Sequence, residues 1–154
     1  MRVSDVMTRD VIKVHRDATV PEMAQLMGTH DISGLPVVDD QGALIGIVTE
    51  LDLMVRNANL HVPRYLRVLD VMIPLGDPRE FGEEIRRALG TTAADLMTPH
   101  VLTVQSTTDL ADLATLMVDK RVNPVPVVDG GALVGIVSRS DFVQLMAQDI
   151  PTES

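Results

Sequence analysis

The chain has 154 residues, 45% of them apolar and only 2% aromatic, with a formal net charge of −9 and no cysteine. That length suits one compact domain or two half-domains sharing a core of Val, Ile, Leu, Met and Ala. The acidic balance and the lack of any basic run exclude a nucleic-acid surface. The missing cysteines exclude disulfides, thiolate zinc sites and a cysteine nucleophile.

The opening residues Met1 to Asp5 form no apolar signal core, and no apolar run approaches the roughly 20 residues of a membrane span, so a soluble cytoplasmic protein is expected. A short segment from Val3 to Met7 precedes Val11 to Val14, whose β-branched density predicts a strand. Thr19-Val20-Pro21-Glu22 has the form of a capping box and predicts a helix with the stripe Val20, Met23, Ala24 and Met27, stopped at Gly28. Leu35 to Val38 and Ala43 to Val48 read as a hairpin of buried strands across the turn Asp39-Asp40-Gln41-Gly42, and Leu51 to Val55 opens a second helix.

Residues 58–92 predict two helices. A short one runs from Pro63 through Leu69 and holds the only tyrosine, Tyr65. The other is capped by Asp77, with Pro78 and Glu80 in its first turn, the stripe Phe81, Ile85, Ala88 and Leu89, and a stop at Gly90. Beyond them come a strand from Val101 to Val104, a helix from Asp109 with the stripe Leu110, Leu113, Ala114 and Met117, a hairpin around Asp129-Gly130-Gly131, and a helix from Phe142 to Ala147.

The second set of elements repeats the first. Asp5-Val6-Met7-Thr8 is answered by Asp95-Leu96-Met97-Thr98, Leu35-Pro36-Val37-Val38-Asp39 by Val125-Pro126-Val127-Val128-Asp129, and Gly42-Ala43-Leu44-Ile45-Gly46-Ile47-Val48-Thr49 by Gly131-Ala132-Leu133-Val134-Gly135-Ile136-Val137-Ser138. The offset is 90 residues up to the hairpin turn and 89 after it. Each copy is one β-α-β-β-α unit that needs a neighbour to cover its apolar face.

In this order, twice, these motifs resemble a tandem pair of CBS domains, the module named after cystathionine β-synthase. The resemblance is carried by the Pro-Val-Val-Asp and Gly-Ile-Val strands and by Thr49-x-x-Asp52 and Ser138-x-x-Asp141. It implies an α/β (α+β) fold in which repeats 1–57 and 93–150 pack by a pseudo-twofold, with a helical insertion at 58–92 and a tail at 151–154. It also implies two symmetry-related clefts that bind adenosine nucleotides, with no catalytic residue and no metal site.

By that resemblance Asp52 and Asp141 accept the ribose hydroxyls, with Thr49 and Ser138 beside ribose or phosphate. The Asp52 cleft draws on Ser33 and Gly34, on the stretch Thr98 to Thr103 with Leu102 in it, and on Val122, and the Asp141 cleft on Asn123, on the stretch Thr8 to Lys13 with Ile12 in it, and on Ile32. Ile12, Ile32, Leu102 and Val122 sandwich the base. The chemistry is sound, since a carboxylate takes two hydrogen bonds from a vicinal diol.

Arg139, Arg121, Lys120, His30 and Lys13 are the cations available to a phosphate. The family's kinase gamma subunit carries basic residues before the Pro-Val strand, where this chain has Ser33-Gly34 and Asn123-Pro124. AMP is therefore favoured over ADP or ATP, and any magnesium would arrive with the phosphates. The expected partners are a second copy of the chain, as a homodimer, and an effector protein.

Two other readings stay open at this level. Thr49-x-x-Asp52 and Ser138-x-x-Asp141 also fit capping boxes, which need no ligand and suit a ligand-free adaptor module. A nucleotide-processing enzyme is the other alternative, although no nucleophile stands beside a base. His15, His30, His61 and His100 lack metal-ligand spacing, and the nine methionines fall mostly at helical core spacing.

Overall fold

The computed structural model describes residues 1–59, 65–68, 71–74 and 91–149. The first repeat contributes β1 (Val14–His15), α1 (Val20–His30), β2 (Gly34–Val38), β3 (Leu44–Thr49) and α2 (Glu50–Asn59). After β4 (Tyr65–Val68) and β5 (Val71–Pro74), the second contributes α3 (Ala93–Leu96), β6 (Thr98–Pro99), α4 (Leu110–Lys120), β7 (Val125–Asp129), β8 (Ala132–Val137) and α5 (Arg139–Gln148). The mixed α/β fold of two repeats is as the sequence predicts.

Helix α1 starts where its capping box places it: Thr19 Oγ1 accepts from the Glu22 amide (3.4 Å) and Glu22 Oε2 from the Thr19 amide (3.1 Å). It does not stop at Gly28. The chain turns at Asp31, which takes the left-handed conformation (φ 51°) and donates its amide to Met27 O. Met23 and Met27 are buried, but Ala24 is exposed and half-buried Leu26 packs on the core instead. Helix α4 mirrors this, capped by Asp109 Oδ1 on the Ala111 amide (2.9 Å) and ended by Arg121 (φ 53°).

In the first sheet β1 pairs parallel with β2, β2 antiparallel with β3, and β3 antiparallel with β6. In the second, β7 pairs with β8, flanked by single bridges Val104–Val127 and Thr8–Ile136. Both hairpins carry an irregularity at the same place, Val37/Val38 and Val127/Val128. The second closes through Gly130 and Gly131, both with positive φ (56° and 82°), the backbone a two-residue hairpin turn requires.

Three expectations are corrected. The strands expected at 11–14 and 101–104 shrink to Val14–His15 and a bridge at Val104, because Ile12 and Leu102 upstream line clefts instead of joining a ladder. The helix expected from Pro63 through Leu69 is replaced by the β4–β5 hairpin, paired Tyr65 with Pro74 and Val68 with Val71. Tyr65, Val68, Val71 and Ile73 are strand formers, and that preference outweighs the weak helical spacing. The helix expected at 78–89 and the tail at 151–154 lie outside the described residues.

The two repeats exchange their leading segments. Val3 donates to Thr108 O (2.9 Å) and Ser4 to Ser106 O (3.0 Å) in the second repeat, while Ala93 donates to Ala18 O (2.8 Å) and Ala94 to Arg16 O (2.9 Å) in the first. These bonds correspond residue for residue at the 90-residue offset, which is the signature of the pseudo-twofold. Val3 and Met7 thus complete the core around Leu113, Val125, Val127 and Val137, and Ala93 and Leu96 the core around Met23, Leu35, Val37 and Val48. Each fully buried Leu or Val contributes about 1.5–3 kcal/mol, so neither core closes without its partner's segment. At the far end of β7, Ser106 donates its hydroxyl and amide to Asp129, holding that carboxyl below its usual range.

Candidate functional site

The pseudo-twofold passes between equivalent residues. Asn123 Nδ2 donates to Ser33 Oγ (3.3 Å), and a Cβ on Gly34 would fall 2.5 Å from Pro124 Cδ, so only glycine permits this approach. The backbone amides that begin the flanking helices are anchored to the same pair, Glu50 to Ser33 O (3.0 Å) and Arg139 to Asn123 Oδ1 (2.9 Å). Beside this axis open two clefts, one of about 570 Å³ holding Asp52 and one of about 420 Å³ holding Asp141. Both volumes lie in the range of small-ligand sites.

Each carboxylate caps its helix with one oxygen. Thr49 donates its amide (2.8 Å) and hydroxyl (3.2 Å) to Asp52 Oδ2, and Ser138 its amide (2.7 Å) and hydroxyl (3.2 Å) to Asp141 Oδ2. Among the described residues nothing donates to either Oδ1. The capping reading and the cleft reading are therefore compatible, because each side chain has one oxygen committed and one still able to accept.

Of the sixteen expected site residues, fourteen line one or both clefts. Thr49, Asp52, Thr98, Leu102 and Val122 line the first cleft, and Thr8, Ile12, Ile32, Ser138 and Asp141 the second; Ser33, Asn123 and Arg139 line both. Gly34 is corrected to the Asp141 cleft, since its place against Pro124 puts it across the axis. Lys13 and Thr103 line neither and are exposed, because each follows a cleft-lining apolar residue in non-helical chain and turns the opposite way. Lys120 and His30 likewise lie outside both clefts, leaving Arg121 and Arg139.

His100 and Asp10 fall within the expected stretches Thr98 to Thr103 and Thr8 to Lys13, while sequence reasoning passed over Glu50, Leu51 and Met54 in the first cleft and Asp31 and Ser140 in the second. The repeat offset was the signal that could have found Asp31, which is equivalent to the candidate cation Arg121. Among the described residues no three His, Asp or Glu gather to hold a metal, and no helix is long and apolar enough to cross a membrane.

Comparison with known proteins agrees with the fold. Uncharacterized protein MJ1426 of Methanocaldococcus jannaschii is 30% identical over 95% of this chain and 91% of its own. The chloroplastic CBS domain-containing protein CBSX2 of Arabidopsis thaliana is 32% identical, the chain spanning 63% of its length. The crystal structure of CBSX2 in complex with AMP superposes with a TM-score of 0.78 at 28% identity, covering 96% of this chain and 97% of that one. The CBS domain pair of protein MJ0100, in complex with 5′-methylthioadenosine and S-adenosyl-L-methionine, gives 0.72 at 25% identity, covering 95% and 99%. With residues 3–58 and 93–148 each matching the CBS domain and the two copies sharing their cores about a pseudo-twofold, the chain belongs to the CBS domain family as a tandem pair.

Proposed function

We propose that this chain is a regulatory binding module and not an enzyme, taking an adenosine nucleotide, AMP in preference to ADP or ATP, in the clefts between its two CBS repeats. The observation that carries the reading is the pair of cleft carboxylates, Asp52 and Asp141, each with Oδ2 fixed by its own helix start and Oδ1 left to accept from a ribose diol. The AMP complex of CBSX2 supports it. Apolar residues at the cleft walls, Val122 and Leu102 in one and Ile12 and Ile32 in the other, suit the faces of a purine. Because both repeats line each cleft, a bound ligand stabilises one relative placement of the halves by its differential affinity, and that placement biases an effector protein. Any magnesium comes with the phosphates.

Titrating AMP, ADP, ATP and S-adenosylmethionine into the protein while following thermal unfolding tests this. AMP at 100 times its dissociation constant is expected to add about 2.7 kcal/mol. No shift with any of the four rejects the reading in favour of a ligand-free adaptor, and chemical turnover of the added nucleotide rejects it in favour of an enzyme.

The active form in this reading is a homodimer. Among the described residues, five of the seven large exposed apolar side chains lie on α2 and α5, namely Leu51, Met54, Val55, Val143 and Met146, which concentrates sticky surface on the two equivalent helices. Light scattering after size-exclusion chromatography is expected to give twice the 16.8 kDa chain mass, and Met54→Glu with Met146→Glu to halve it. A wild-type protein eluting at one chain mass removes the dimer.

A further inference from the structure

We infer that the two clefts are sorted by charge: the Asp52 cleft takes a phosphorylated adenosyl ligand, and the Asp141 cleft an uncharged or cationic one. This rests on the adenosyl reading above and assigns a ligand class to each half of it.

The inference comes from positions that the pseudo-twofold makes equivalent. Arg121 ends α4 in the left-handed conformation with its amide on Met117 O, and Asp31 ends α1 in the same conformation with its amide on Met27 O. The backbones match, yet the first puts a guanidinium at the wall of the Asp52 cleft and the second a carboxylate at the wall of the Asp141 cleft. His100 and Asp10 form a second such pair, again with the acid in the Asp141 cleft. Glu50 and Arg139, themselves equivalent, line both clefts and so do not distinguish them.

Among the described lining residues, the Asp52 cleft therefore sets two arginines and a histidine against two carboxylates, while the Asp141 cleft sets one arginine against four carboxylates. Backbone does not make up the difference, because the first amide of each flanking helix is already donated to Ser33 O or Asn123 Oδ1. A phosphate entering the second cleft meets an excess of like charge. An adenosine meets none of that penalty, and an adenosyl sulfonium cation is drawn in. These wall charges face solvent, so the sorting is strongest at low salt, where the Debye length is long.

Isothermal titration of AMP, adenosine and S-adenosylmethionine at low and high salt tests the assignment, with Arg121→Asp and Asp31→Arg as charge reversals at exposed helix ends where the other residue is already tolerated. The wild type is expected to bind about one AMP per chain tightly and to accept adenosine or S-adenosylmethionine at the second cleft. Arg121→Asp is expected to weaken AMP about 10-fold with adenosine changed less than about 2-fold, as a charge acting on phosphate alone requires. Asp31→Arg is expected to raise the AMP stoichiometry toward two and to weaken S-adenosylmethionine. Two equal AMP sites in the wild type, or an AMP-to-adenosine affinity ratio that neither reversal moves, overturns the sorting while leaving adenosyl binding intact. Failure of all three compounds to bind the wild type overturns the adenosyl reading, and the sorting falls with it.

Discussion

Replacing Gly46 with alanine is expected to destabilise the protein by about 1–3 kcal/mol, the range for forcing an extra carbon into a filled core. Gly46 lies in the middle of β3, opposite Val37 on one side and Pro99 on the other. A Cβ there would overlap Met97 Sδ and also fall 2.8 Å from its Cγ and 2.9 Å from its Cβ, so the clash reaches the base of that side chain and the backbone between α3 and β6 must move. The equivalent Gly135 faces Met7 with more room, 3.0 Å to Cγ and 3.2 Å to Cβ, and Gly135→Ala is expected to cost less. Because each methionine belongs to the other repeat, the two substitutions probe the exchange of leading segments and not the hairpins alone. Urea unfolding of Gly46→Ala, Met97→Ala and the double variant measures this directly, since shortening Met97 to its Cβ removes the overlaps with Sδ and Cγ, and the double variant should be more stable than the two losses added. Strict additivity would mean that the added methyl and Met97 do not meet.

How much of this was legible follows from what kind of signal each feature leaves. The hairpins, the capping boxes at Thr19 and Ser138 and the buried stripe of Met23, Met27, Leu113 and Met117 are local patterns, and they appear as written. The resemblance to a CBS pair, which the duplication carries, implied the pseudo-twofold and with it the convergence of Thr8, Ile12 and Asp141, which lie far apart in the chain. The exchange of leading segments was not legible, because Val3 to Met7 and Ala93 to Met97 carry the same pattern and either could sit on either hairpin. Lys13 and Thr103 were misplaced for a smaller reason: a family motif names a stretch, but side-chain direction in non-helical chain alternates from one residue to the next. The β4–β5 hairpin was missed because four strand formers spaced over nine residues also satisfy a short helical pattern.

The second large effect concerns ligand and not fold. Asp52→Ala is expected to weaken AMP at its cleft by roughly 100-fold or more, because it removes an acceptor for two charge-assisted hydrogen bonds worth about 1.5–3 kcal/mol each. Asp141→Ala is expected to do the same to the ligand of the second cleft. Both variants also lose a helix cap, which by itself costs about 1 kcal/mol of stability. The chain supplies its own control for that second loss. Glu22 accepts the amide of its own helix cap, Thr19, as Asp52 and Asp141 accept those of Thr49 and Ser138, and it lines neither cleft. Glu22→Ala should therefore lower the unfolding free energy by a similar amount and leave every ligand affinity where it was. If instead Asp52→Ala and Asp141→Ala behave like Glu22→Ala, slightly less stable and unchanged toward adenosyl compounds, the carboxylates are caps alone, and whatever fills the clefts is held by other groups.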